Sequence, residues 1–230
     1  DDAALVKHKR GCEIVITCDA LVCGVHFRHE DKAEDVAARA LRVNLSDLAA
    51  MGANPVSYLL SLALPADLTE TWLEGFVGQL AKDQKRYGVN LIGGDTVVTP
   101  GPLTLTITAL GQISEGQALT RAGAKMGDKI FVSGSIGDAG LGLRVLRGEL
   151  GALTEAQGTE LTACFLRPSP RIDVGQALVG TAHSATDVSD GLVADIGHLC
   201  APAGVGAHIS ASLIPLSKAS RAALDMEPNL

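Results

Sequence analysis

The chain has 230 residues, 47% of them apolar and 20% charged, and a formal net charge of −7. That length carries one large domain or two modest ones around an ordinary core, and the composition excludes a disordered chain. Only seven residues are aromatic, and Lys and Arg are scattered, so the sequence offers neither a base-stacking platform nor a basic stripe, and no nucleic-acid partner is expected.

Taken in chain order, "EIVITCD" (13–19) predicts a β-branched strand that ends on Asp19, followed by a loop through His26. From Lys32 to Met51 the apolar residues cover nearly the whole helical circumference, which predicts a helix buried on more than one side and stopped by Gly52. "PVSYLLSLALP" (55–65) predicts a strand, and Thr69 to Gly88 a second helix capped by Thr69 or Thr71. Strands are expected at 89–92 and 103–110, so that "LIGGDT" leaves Asp95 just past a strand end. The turn-rich stretch after Gly111 predicts a domain boundary near 112–116, giving domains 1–113 and 114–230. The second half is expected to hold strands at "KIFVSG" (129–134), 183–187 and 206–214. Its helices are expected at 138–147, 155–166, 170–180 (Ser169 as cap, Pro170 first) and 191–200. The class is α/β or α+β in two halves.

An odd count of five cysteines without a Cys-x-x-Cys pair does not resemble a disulfide framework, and points to a reducing, cytoplasmic compartment. No apolar run reaches bilayer-spanning length, so no membrane association is expected. No basic-then-apolar leader opens the chain, which begins at Asp1 without Met and so leaves residues upstream an open matter.

The aspartates carry the chemical signal. Asp47 lies inside an apolar helix, where an unpaired carboxylate costs several kcal/mol. It therefore needs an ion-pair partner or a cation; Arg39 and Arg42, the helix's basic residues, lie off its face, whereas Asn44 shares it. Asp95 after Gly93-Gly94 reads as a turn residue or as a metal ligand beside a glycine backbone that a phosphate can approach. In "TDVSDG", one of Ser189 and Asp190 is expected to cap the following helix, but both acids, Asp187 and Asp190, capping one helix is less economical than a cation role. Asp19, Asp47, Asp95, Asp187 and Asp190 together suit Mg²⁺, a hard ion completed by water and substrate phosphates. "GSIGDAGLG" (134–142) lacks the Lys-Ser/Thr of a P-loop and reads as a tight turn, while Cys18, Cys23 and His26 make an incomplete zinc set and read better as ordinary core thiols.

In this order and spacing, "DD" at the start, "TCDALVCGVHF", "NLSDLAAMGANP", "LIGGDT", "LTRAGAKMGD", "LRPSPR" and "TDVSDGL" resemble bacterial thiamine-monophosphate kinases over essentially the whole chain. "GGDT" and "SDG" are shared with the wider group that includes aminoimidazole ribonucleotide synthetase. The resemblance implies ATP- and Mg²⁺-dependent phosphorylation of thiamine monophosphate to thiamine diphosphate, on a two-domain synthetase-like fold whose N-terminal sheets pair into a barrel-like homodimer core. It implies metal positions at Asp2, Thr17, Asp19, Asp47, Asp95, Asp187 and Asp190. It implies nucleotide contacts at Tyr87, Gly94, Arg121 and Ser189 and a substrate contact at His26, with Arg121, Asp47 and Asp95 closest to the chemistry. It further implies a glycine-rich lead-in before Asp1 and, after Leu230, an acidic segment and aromatic residues that hold the thiamine moiety. Cys18 departs from the usual Thr, and a softened ligand there favours one alternative, a nucleotide-binding homologue without turnover; the other alternative is a sister enzyme of the same group.

Overall fold

The computed structural model describes residues 3–7, 9–151 and 153–227. They form two compact units, one of residues 1–119 with 170–182, the other of residues 120–169 with 183–230. The first unit is a four-stranded sheet in the order β1-β4-β2-β3, with β1 Cys12–Val22, β2 Asn54–Pro65, β3 Asn90–Thr99 and β4 Thr104–Ser114. β4 runs antiparallel to both β1 and β2, and β3 runs parallel to β2, as the intervening helix requires.

Two of these strands outrun the sequence reading. β1 continues past Asp19 because Ala20-Leu21-Val22 keep pairing with Leu105 and its neighbours on β4. β3 runs on through Asp95 to Thr99 beside Ser61–Pro65 of β2. Both aspartates therefore sit within ladders rather than at their ends. Neither is costly there, since Asp19 is half-buried and Asp95 is exposed on an edge strand.

Helix α1 (Ala33–Ala50) packs on one face of the sheet, and α2 (Glu70–Tyr87) packs against α1 with Phe76 and Leu80 in the same core. α1 contacts β1, β4, α2 and the short helix α5 (Ile172–Leu178), which accounts for its apolar circumference: Leu41, Leu45 and Leu48 are all fully buried. α2 begins as expected, with the Thr69 hydroxyl accepting from the Trp72 amide, and ends on Gly88 in the left-handed conformation. The charged exception in this interface is Arg42 of α1. Its guanidinium grips both oxygens of Asp83 on α2 at 2.8 Å, and Gln79 donates to the same carboxylate at 3.1 Å. On the opposite sheet face Ile16 is 62% exposed and Val97 49% exposed, and Ile14 and Leu59 are also uncovered.

In the second unit, α3 (Asp138–Leu146), α4 (Glu155–Leu166) and α6 (Leu192–Ala203) lie close to their predicted positions, whereas α5, assigned to the first unit, starts at Ile172 after Arg171 rather than at Pro170. A further helix, α7 (Lys218–Met226), was not expected from the sequence. It is capped by Ser217, and its apolar Ala219 and Ala223 are buried. The three strands predicted here do not form among the described residues: "KIFVSG", 183–187 and 206–210 are irregular and without ladder partners, and Ala211–Leu213 is a 3-10 turn. A β-prone segment becomes a strand only when a neighbour takes its amides. The "GSIGDAGLG" turn is tied down by Asp138, which accepts hydroxyls from Ser135, Ser217 and Ser220 and so joins α3 to α7. A carboxylate already occupies the head of α3, which leaves that turn a structural one.

Two outcomes follow from the α1–α2 interface. Asp83→Ala strands the Arg42 guanidinium in a buried site and is expected to cost about 3–5 kcal/mol, read from the shift in a urea unfolding midpoint. Tyr58, fully buried with a hydroxyl that lacks a partner, has its ionisation pushed from 10 up to about 12 by burial, reinforced by the charge of Asp83. A raised folded-state value stabilises fully below the unfolded value and is lost as pH climbs through the folded one. Stability is thus expected to fall between pH 10 and about 12, with the Tyr58 phenolate absorbance appearing only together with unfolding.

Candidate active site

Thr17 on β1 and Asp47 on α1 meet directly: the threonine hydroxyl donates to Asp47 Oδ2 at 2.6 Å. The strand's period of two places Asp19 on the same face as Thr17, toward the helix, and turns Cys18 to the other face. There the Cys18 thiol accepts from the Thr108 hydroxyl at 3.3 Å. The thiol is therefore not a side-chain neighbour of the Thr17–Asp47 pair, and its softness does not enter that donor set. Arg42 is committed to Asp83 on the α2 side. Five residues separate Arg42 from Asp47, a rotation of about 140° around the helix, so seating the arginine against α2 delivers the aspartate to β1. Asn44, fully buried, spends its amide on the Ala40 carbonyl at 3.0 Å and leaves Oδ1 without a hydrogen-bond partner.

Asp95 lies elsewhere on the sheet. The row Asp19–Ile107–Leu60–Gly94 crosses from β1 to β3, so Asp19 and Asp95 stand at opposite edges. Three strand spacings separate them, roughly 14 Å. Asp95 is exposed and accepts from the following amide, Thr96 N, at 2.9 Å. Gly94 is demanded by the backbone: its φ is +152°, and a Cβ there would stand 1.8 Å from the Leu60 carbonyl oxygen.

His26 is exposed in a tight loop after β1, and its Nδ1 accepts the Val22 amide at 3.0 Å. An accepting Nδ1 leaves the proton on Nε2, which is the donor presented outward. The loop is clamped by Asp31, which takes the Arg28 amide at 3.0 Å and its guanidinium at 2.7 and 2.8 Å. The Cys23 thiol meets His29 Nδ1 at 3.2 Å, and burial pushes the thiol's pKa up, disfavouring the thiolate. Cys18, Cys23 and His26 do not converge as a metal set among the described residues. Tyr87, the last residue of α2, has Arg86 and Arg42 within 5.1 and 5.8 Å of its ring centre, and its buried hydroxyl has no hydrogen-bond partner. Asp2 lies outside the described residues.

In the second unit Arg121 opens a 3-10 turn, Arg121–Gly123, and is exposed. The turn is seated on the chain ahead of Asp187. A Cβ on Gly123 would lie 1.7 Å from the His183 carbonyl oxygen, and the His183 ring bonds Asp128 at 2.8 Å. Asp187 is half-buried, and Ser189 and Asp190 are exposed. Neither of the latter two caps α6. The cap residue is Gly191, and the loop's amides go instead to Asp195, inside the helix. Asp190, Asp195 and His198 offer ligand atoms that all lie within 4.8 Å of one another. Sequence reasoning missed Asp195 and His198, although their spacing of three on one helix face was the available signal.

Residues 1–113 match the N-terminal domain of AIR synthase related proteins, and residues 125–228 match the C-terminal domain. The crystal structure of thiamine-monophosphate kinase from Stenotrophomonas maltophilia K279a superposes with a TM-score of 0.89 at 44% identity, covering 100% of this chain and 71% of that one. The chain belongs to the thiamine-monophosphate kinase family. The Escherichia coli (strain K12) thiamine-monophosphate kinase is 46% identical over 219 residues, which are 95% of this chain and 66% of that protein. The chain thus spans just under two thirds of that relative's length. A further family structure, AaThiL complexed with AMPPCP and TMP, has a TM-score of 0.89 at 32% identity and is covered to 72%.

Gly94→Ala is expected to destabilise the first unit by about 2 kcal/mol or more, because the new methyl meets backbone rather than a movable side chain. A lowered thermal midpoint with an unchanged fold by circular dichroism would record it.

Proposed function

We propose that the protein transfers the γ-phosphoryl group of ATP to the phosphate of thiamine monophosphate, releasing thiamine diphosphate and ADP, with Mg²⁺ as the assisting ion. The observation that carries this reading is the contact between Thr17 and Asp47 at 2.6 Å, which joins an oxygen donor of β1 to one of α1 beside Asp19. All the donors there are hard oxygens, the set that suits Mg²⁺. A family member that holds an ATP analogue together with TMP supports the pairing of substrates.

On this reading Thr17, Asp19, Asp47, Asp95, Asp187 and Asp190 hold the ions, with Asp2 added from outside the described residues. Bound Mg²⁺ supplies neutralisation of the charge that two polyanions bring together. His26 donates its Nε2 proton to a phosphate oxygen of the acceptor. Arg121 binds equatorial oxygens in the transition state through its planar fork. Ser189 and the Gly94 backbone contact the nucleotide, as does Tyr87, whose buried hydroxyl would gain the partner it lacks. No general base is required, since the attacking phosphate oxygen is already anionic at neutral pH. The division of labour follows domains 1–113 and 114–230, and the compartment is the cytoplasm.

We further assign a homodimer to the uncovered sheet face, where Ile14, Ile16, Leu59 and Val97 are exposed. Closing two such sheets into a barrel sets the edge strands of two chains side by side, which is how Asp95 on one edge would gain neighbours that its own chain places at the far side of the sheet.

The purified protein is expected to release ADP only when thiamine monophosphate and Mg²⁺ are both present. Asp47→Asn should lower turnover by about 100-fold while leaving the unfolding midpoint close to that of the parent. ADP release indifferent to thiamine monophosphate would assign a sister activity, and binding of AMPPCP without ADP from ATP under any acceptor would mark a silent homologue.

A further inference from the structure

The loop Ser189-Asp190-Gly191 turns its backbone inward. Three consecutive amides donate to a single oxygen, Asp195 Oδ2: Ser189 N at 3.1 Å, Asp190 N at 3.2 Å and Gly191 N at 3.1 Å. Asp195 itself is 2% exposed, whereas the residues whose amides it holds are exposed. Successive amides pointing at one spot at the head of a helix form a cavity that ordinarily takes an anion such as phosphate. Here the chain fills that cavity with its own carboxylate, reached from the first turn of α6.

We propose that Asp195 is a positioning residue for the Ser189–Asp190 loop: it occupies the amide cavity at the head of α6 and so orients that loop toward cation rather than phosphate. This rests on the proposed kinase reading. With its three amides spent, the loop cannot grip a phosphate through its backbone, and what it can offer a ligand is the Ser189 hydroxyl and the Asp190 carboxylate. Charge-assisted hydrogen bonds to Asp195 offset the cost of burying a carboxylate and hold three residues in one conformation at once. Asp190 and His198 offer ligand atoms within 4.8 Å of those of Asp195, so the fixed loop holds the Asp190 carboxylate beside the His198 ring. A helix head that would otherwise favour phosphate through its amides thereby presents side-chain ligands instead.

The test compares Asp195→Ala with Asp195→Asn in the whole protein. Asparagine keeps an oxygen that accepts the three amides, and alanine does not. Amide hydrogen exchange at residues 189–191 is expected to be slow in the parent, faster by about tenfold or more in Asp195→Ala, and within about threefold of the parent in Asp195→Asn. In turnover, the Mg²⁺ concentration giving half the maximal rate should rise about tenfold in Asp195→Ala, with KM for thiamine monophosphate unchanged and Asp195→Asn restoring the parent value. Unchanged exchange at these amides in the alanine variant would overturn the proposal. So would an asparagine variant as impaired as the alanine one, because Asp195 would then act through its charge or as a ligand. Should Asp195→Ala fail to fold, the asparagine variant decides alone: protection kept at 189–191 supports the proposal and protection lost refutes it. The exchange measurement needs no catalysis, so a parent protein without thiamine-monophosphate-dependent ADP release would defeat the kinase reading while leaving Asp195 to be judged separately.

Discussion

The rotation of one helix about its axis governs the first unit. α1 is apolar nearly all round, so hydrophobic burial by itself would accept many rotations. The Arg42–Asp83 ion pair accepts very few, because a buried guanidinium needs its bidentate partner in plane. Gln79 completes the carboxylate's shell and makes α2 a fixed reference. With Arg42 held against α2, the helix repeat leaves Asp47 facing the β1 strand, where Thr17 receives it. Asp47 is therefore aimed at β1 by a pair of charges that it does not itself touch.

The sheet then sorts its residues by parity and by edge. Thr17 and Asp19 face α1, and the intervening Cys18 faces away, so a substitution that reads as damaging in sequence falls on the side of the strand remote from Asp47. The strand order β1-β4-β2-β3 places Asp19 and Asp95 at opposite edges. Within the sheet of one chain, Thr17, Asp19 and Asp47 are thus grouped at one edge and Asp95 at the other, while Asp187 and Asp190 belong to the second unit. The uncovered sheet face, and the homodimer proposed for it, would be the complement of that separation.

In the second unit carboxylates are used as internal anions. Asp138 collects three serine hydroxyls and fastens α3 to α7. Asp195 collects three amides and fastens the Ser189–Asp190 loop to α6. Both fill places at helix heads that a sequence reading leaves open to phosphate. The difference lies in what surrounds them: Asp138 is enclosed by structure, while Asp195 carries a loop whose own side chains remain exposed.

The periodicities of α1 to α4, the Thr69 cap and the apolar or β-branched runs within β1, β2 and β4 could be read directly, because helix and strand periods are local properties of a side-chain pattern. The order of motifs likewise placed the chain in its family before any fold was known. Strand length, pairing and loop conformation were not readable, since each depends on which backbone groups find partners: β1 and β3 ran on because β4 and β2 took their amides, and "KIFVSG" stayed unpaired for want of such a neighbour. The chain alone declared which acids it possesses and on which kinds of element they ride. Tertiary structure decided which of them meet, which hydroxyl or amide each one holds, and that Asp195, silent in the sequence, commands a loop, because hydrogen bonds between residues distant in the chain follow from packing and register rather than from spacing.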